Sequence, residues 1–179
     1  MSSDLAERLR LVEAALRRFQ AALESRSEKL QVSSVSRGFA RGRGQGTAAG
    51  VGAHARLYGD VGWIVEHERV ALPFPLAWRF RFGWLLGVAD IVVFERGTPR
   101  AVVEVKSYSG VREYERVQAS LYGLLAQLNF LARPRVYVQT PRGPEEVQGW
   151  EELALETLER ACAPRRNRPV YGGGARTTP

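Results

Sequence analysis

Asp90, Glu104 and Lys106 carry charge inside two segments that otherwise read as apolar strand, GVADIVVFE and RAVVEVK. A lone ionised carboxylate in a core strand is driven toward its neutral form unless a counter-charge or a cation offsets the lost hydration. Two hard oxygen ligands brought together at the mouth of a sheet suit Mg²⁺ or Mn²⁺, which prefer carboxylate, carbonyl and water. Glu104 and Lys106 are two apart and so point to one strand face, where a cation and an ammonium would act on a single pocket. Lys106 is one of only two lysines among 26 basic residues. On a solvated surface arginine would serve as well, but at a site lysine is a compact point charge whose pKa responds to burial. The plainer alternative is that the three charges form a buried ion pair or lie at fraying strand ends. Register decides whether Asp90 joins them. Pairing Glu95 with Arg100 would turn Asp90 away, whereas a loop one residue shorter or longer, or a bulge, would set it beside Glu104 or Lys106, which is the arrangement expected.

The elements that must hold these residues are legible in outline. Val88 to Phe94 and Arg100 to Lys106 form a hairpin turning at Arg96-Gly97-Thr98-Pro99, with strands apolar enough to be covered on both faces. Residues 111–131 have helical spacing, and Gln118 and Tyr122 fall four apart on one side of that helix. RVYVQ at 135–139 reads as a strand, 141–144 as a turn, and Trp150 to Cys162 as a closing helix. Upstream, residues 4–31 read as one long helix, opened by Asp4 as N-cap with Glu7 three residues on. Its apolar seam, Leu5, Leu9, Val12, Leu16, Phe19 and Leu23, has heptad spacing; it packs on its own domain, or joins a second copy or a helical partner. Val61 to Val65 and Arg69 to Leu72 read as short strands before a break at Pro73 and Pro75. Ala77 to Trp84 reads as a strand with Trp78, Phe80, Phe82 and Trp84 on one face. The expected organisation is an amphipathic helix over 1–32, a Gly/Arg-rich loop over 33–52, an α/β core over 53–162, and a flexible basic tail over 163–179.

With 179 residues and 45% hydrophobic content, the chain suits one domain with tails. A net charge of +7 favours a polyanionic partner. Arg37, Arg41 and Arg43, spaced by glycines, could form a basic arm on nucleic acid. The same glycines do not make a nucleotide-binding loop, because no Gly-Lys-Ser/Thr follows and no apolar strand precedes. Cys162 is the single cysteine, which rules out an internal disulfide and fits a reducing interior. There is no apolar leader and no membrane-length apolar run, so the expected location is cytoplasmic with no membrane contact.

Taken in order, Gly87-Val88-Ala89-Asp90, Glu104-Val105-Lys106 and Gln118-Ala119-Ser120-Leu121-Tyr122 resemble the GxxD, ExK and QxxxY motifs of the PD-(D/E)xK nuclease superfamily, in its RecB-like exonuclease branch. Gly50-Val51-Gly52-Ala53-His54 is similar to the branch's GxxxH element. The resemblance spans about residues 33–140 and implies a restriction-endonuclease-like core, a mixed β-sheet flanked by helices. It implies that Asp90, Glu104, the Val105 carbonyl and His54 bind Mg²⁺ or Mn²⁺, that Lys106 orients or deprotonates the attacking water, and that Gln118 and Tyr122 position these groups or the DNA backbone. The implied activity is hydrolysis of single-stranded DNA from an end. A non-catalytic DNA-binding or assembly module and a junction-type endonuclease are the alternatives. CRISPR-associated members of the branch hold an iron–sulfur cluster on four cysteines; this chain has Cys162 alone, so no cluster is expected.

Overall fold

The computed structural model describes residues 3–38 and 61–162. It is an α/β structure in which a mixed six-stranded sheet is flanked by helices and preceded by an N-terminal helix. In chain order the elements are α1 (Ser3–Glu24), β1 (Lys29–Gln31), α2 (Val32–Arg37), α3 (Gly62–Glu66), β2 (Arg69–Phe80), β3 (Gly83–Glu95), β4 (Thr98–Val105), α4 (Glu113–Phe130), β5 (Arg135–Thr140), β6 (Gly143–Glu146) and α5 (Trp150–Cys162).

β3 is the longest strand and organises the sheet. β2 runs antiparallel along its whole length, from Arg69 opposite Glu95 to Phe80 opposite Gly83. The other edge of β3 is shared: β1 pairs in parallel with Trp84–Leu86, and β4 pairs antiparallel with Ile91–Glu95. β5 then lies parallel to β4, which requires a crossover, and α4 supplies it. β6 closes the sheet against β5.

α4 packs on the sheet and is apolar nearly all round, with Val117, Leu121, Leu125 and Ala126 fully buried, as befits a helix enclosed by other elements. Its last residue, Phe130, meets Phe74 and Phe94 of the sheet edge to face, with the three centroids 5.1 to 5.8 Å apart. The α1 seam is spent within the chain: Val12, Ala15, Leu16 and Phe19 are buried, and only Leu23 stands out at 45% exposure.

Several expectations are corrected. The N-terminal helix ends at Glu24, because Lys29–Gln31 pairs with β3 as a strand and residues 32–37 form a second short helix instead of a loop. Asp4 lies inside the first turn of α1, and its carboxylate bonds Arg8. Residues 62–66 are helical, not strand. β2 continues through Pro73 and Pro75; among the described residues it pairs with β3 alone, and on such an edge a missing N–H can face away from the ladder. Trp78, Phe80, Phe82 and Trp84 do not share one strand, because the chain turns at Arg81-Phe82 between β2 and β3. Phe82 instead stacks on Phe80 at 5.2 Å, and Trp84 joins a separate cluster with Phe19, Ala77 and Leu86. The β3–β4 turn is tighter than expected, only Arg96 and Gly97, both with positive φ, as a two-residue hairpin matched to strand twist requires. The turn expected over 141–144 shrinks to residues 141–142, since Gly143 already pairs in β6.

Leu131 ends α4 in the left-handed region, φ 53° and ψ 30°, with 84% of its surface exposed. A Cβ in that conformation costs about 1–2 kcal/mol that glycine does not incur. Leu131→Gly should therefore raise the melting temperature by about 2–8 °C, read by thermal denaturation.

Candidate functional site

The site forms where the sheet is parted. On the edge of β3 opposite β2, β1 reaches Leu86 and β4 begins pairing at Ile91, so Gly87–Asp90 has no ladder partner there among the described residues. The C-terminal ends of β1 and β4 point toward each other across this opening. Asp90 is exposed despite lying mid-strand, which resolves the oddity of a charge in an apolar run.

Two irregularities aim the acids. In β4 the register slips between Val93 and Phe94, leaving Arg100 as the extra residue. Continuing the pairing of Ile91 with Val103 by one step sets Asp90 across from Glu104. In β3 the pairing with β2 also slips: Pro73 alone spans the step for which β3 uses both Asp90 and Ile91. Ala89 and Val92, three apart, consequently both face the core, which an unbroken strand would forbid. The Asp90 carboxylate then takes over where the ladder stops, its Oδ2 accepting the Val105 N–H at 2.8 Å.

Glu104 is buried beneath α4. Its Oε1 accepts from Lys106 Nζ at 2.7 Å, and its Oε2 is buried with no hydrogen-bond partner among the described residues, although the Asp90 carboxylate is near enough to act on the group. Burial, then the nearby Asp90 charge, pushes its carboxyl up to about 7 against the pull of the Lys106 ammonium. Burial acts to lower the Lys106 pKa, but the Glu104 charge and hydrogen bond outweigh it and the net shift is upward, so Lys106 is an ammonium at neutral pH. Lys106 Nζ also donates to Gln118 Oε1 at 3.3 Å and lies 5.3 Å from the Tyr114 ring centroid. The Gln118 amide meets the Tyr122 hydroxyl as well; burial, Glu104 and Asp90 all raise the pKa of that phenol, which stays neutral.

Glycine at position 87 makes this packing fit. A Cβ there would lie 2.8 Å from the Tyr122 hydroxyl oxygen, closer than real Cβ contacts come.

Asp90, Glu104, Val105, Lys106, Gln118 and Tyr122 are thus brought together. His54, Arg41 and Arg43 lie outside the described residues. Arg37 is on α2, where its Nε bonds Ser33 O at 2.9 Å. His67 is exposed and meets Trp63 O through Nδ1 at 2.8 Å. Tyr114 was not anticipated, although its spacing of four from Gln118, and of four again to Tyr122, marks one helix face.

The donor set fits a hard divalent cation. Two carboxylates face one opening, and one of their oxygens is buried without any other partner. Mg²⁺ is commonly held by one or two carboxylates with water and substrate phosphate completing its shell, so no protein cage is needed. Among the described residues no group of three or more His, Cys, Asp or Glu is gathered. No described helix is long and apolar enough to cross a membrane.

No family model and no curated protein matches the chain. Among solved structures, one described as "Crystal structure of SSO0001" is similar at 14% identity over 87% of each chain, with a TM-score of 0.31. That likeness is too loose to bear on fold or function.

Proposed function

We propose that the chain is a divalent-metal-dependent DNA nuclease of the PD-(D/E)xK type, with a restriction-endonuclease-like core and RecB-like exonuclease character. The observation that carries this reading is the buried Glu104 carboxylate, which among the described residues keeps one oxygen without a hydrogen-bond partner while Asp90 and Lys106 converge on it. An ion pair kept for structure alone would satisfy both oxygens, because an unpartnered buried acceptor is costly. The net positive charge of the chain suits a phosphodiester substrate.

Asp90, Glu104 and the Val105 carbonyl would hold Mg²⁺ or Mn²⁺, which when bound neutralises charge on the scissile phosphate and acidifies attacking water. The chain's own groups do the rest. Lys106, an ammonium fixed between Glu104 and Gln118, stabilises the negative charge that gathers on the phosphate oxygens. With its pKa raised it donates and orients, and deprotonating water is not its role at neutral pH. Gln118 and Tyr122 set the position of that ammonium from α4. Arg37, together with Arg41 and Arg43, would contact the strand's phosphates.

The test is degradation of linear single-stranded DNA against closed single-stranded circles, with Mn²⁺. Loss of the linear strand alone supports an end-dependent exonuclease, cutting of circles supports the structure-specific endonuclease, and binding without cleavage supports the non-catalytic module. Gly87→Ala should lower turnover about 100-fold by displacing Tyr122, since an ångström of misplacement near reacting groups costs about that much. Steady-state rates beside a thermal melt separate this effect from unfolding.

A further inference from the structure

Immediately after Lys106 the chain leaves the sheet through an exposed stretch, Ser107 to Gly110, before α4 begins at Glu113. Although solvent-facing, this loop is tied down at both ends by a single buried acid. Glu115, 1% exposed, accepts the Arg112 backbone N–H on Oε2 at 2.6 Å and the Tyr108 hydroxyl on Oε1. The first bond closes the first turn of α4 and is explained by helix capping. The second is not required by the fold, because Tyr108 keeps 42% of its surface in solvent and contributes little to the core. A charge-assisted bond to a buried carboxylate fixes the direction of an otherwise mobile ring. The Arg112 guanidinium carbon lies over that ring, 5.9 Å from its centroid. Tyr108 follows Lys106 by two residues and is held on the first turn of α4, the turn whose Tyr114 ring centroid lies 5.3 Å from Lys106 Nζ, which sets the ring beside the site.

We propose that Tyr108 is a base-stacking platform, backed by Arg112, that receives an unpaired nucleobase next to the phosphate held at Asp90, Glu104 and Lys106. The inference rests on the nuclease reading and deepens it by assigning a substrate-positioning residue outside the GxxD, ExK and QxxxY motifs. An aromatic face stacks on any base and can do so only where the base is not already stacked in a duplex. The Tyr108 ring therefore selects strands with unpaired bases, while the phosphate-binding groups read no sequence.

The experiment compares binding of oligothymidylate with an abasic oligonucleotide of the same phosphate number, by fluorescence anisotropy, both in chelator and with Ca²⁺. The full chain is used as parent, Tyr108→Leu and Tyr108→Phe. The parent should bind oligothymidylate about 5- to 150-fold more tightly than the abasic strand, the range expected for one base on one ring. Tyr108→Leu should lose that preference while binding the abasic strand as the parent does, and Tyr108→Phe, which keeps the ring, should retain a preference. A structural role would weaken both ligands together and lower the melting temperature, and that result overturns the proposal. Equal binding of the two strands by the parent, or equal binding by Tyr108→Phe, overturns it too, leaving the nuclease reading intact. If the parent binds neither strand under either condition, the DNA reading falls and the stacking proposal falls with it.

Discussion

Glu104→Gln is expected to resist urea better than the parent at pH 8 in the absence of metal, and to have no measurable nuclease activity. The carboxyl titrates near 7 in the fold against a reference of 4.5, so the folded state holds the proton more tightly than the unfolded chain. Stability from this group is therefore complete below about pH 4.5 and is lost as pH climbs through about 7, a total of about 3 kcal/mol. Glutamine is neutral throughout, can still accept from Lys106, and removes this dependence. The difference between variant and parent should thus be small at pH 5 and grow toward pH 8. Saturating Mn²⁺ should reverse the order, because a ligand at a thousand times its Kd adds about 4.1 kcal/mol to the form that binds it. Matching pH profiles for the two proteins, or an equal Mn²⁺ response, would show that Glu104 is not a strained ligand, and the site would have to be sought elsewhere.

Lys106→Met should cut turnover on single-stranded DNA by about 100- to 10,000-fold while leaving the protein folded at neutral pH. Removing one partner of a buried pair ordinarily costs about 3–5 kcal/mol because the other charge is stranded. Here Glu104 can escape that cost by taking up a proton, since its carboxyl is already near 7 and loses the only group that was pulling it down. Lys106 itself has a folded pKa above 10.5, so its own contribution is fully present at neutral pH and lost only in strong alkali. The variant should accordingly approach the parent's stability at pH 6 and fall behind at pH 9. Methionine preserves the contact with the Tyr114 ring, which keeps packing losses small. Lys106→Arg should not restore the rate, because a planar guanidinium cannot occupy the 2.7 Å and 3.3 Å positions on Glu104 and Gln118 as a point charge does. Full activity in Lys106→Arg would mean that charge alone suffices and would remove the case for a specific lysine.

The amino-acid sequence by itself singled out the groups that meet at the candidate site and the elements nearest them. Asp90, Glu104 and Lys106 stood out because charge inside β-branched runs conflicts with burial, and Gln118 and Tyr122 because helical spacing aligns them. The closing helix was legible to both its ends, Trp150 and Cys162, since its periodicity is local. Only the tertiary structure decided how these parts meet. Nothing local shows that β1 and β4 share one edge of β3 and leave Gly87–Asp90 without a ladder partner between them among the described residues, or that Pro73 lies on a strand paired there with β3 alone. The slips at Arg100 and at Asp90–Ile91 reverse which face each side chain takes, and they arise from pairing with strands distant in sequence. α1 stops at Glu24 for the same reason: Lys29–Gln31 gains more as a third neighbour of β3 than as another turn of helix. Periodicity is a property of one segment, whereas register, free edges and the unpartnered oxygen of Glu104 are properties of several segments packed together, and strand pairing alone brings those into being.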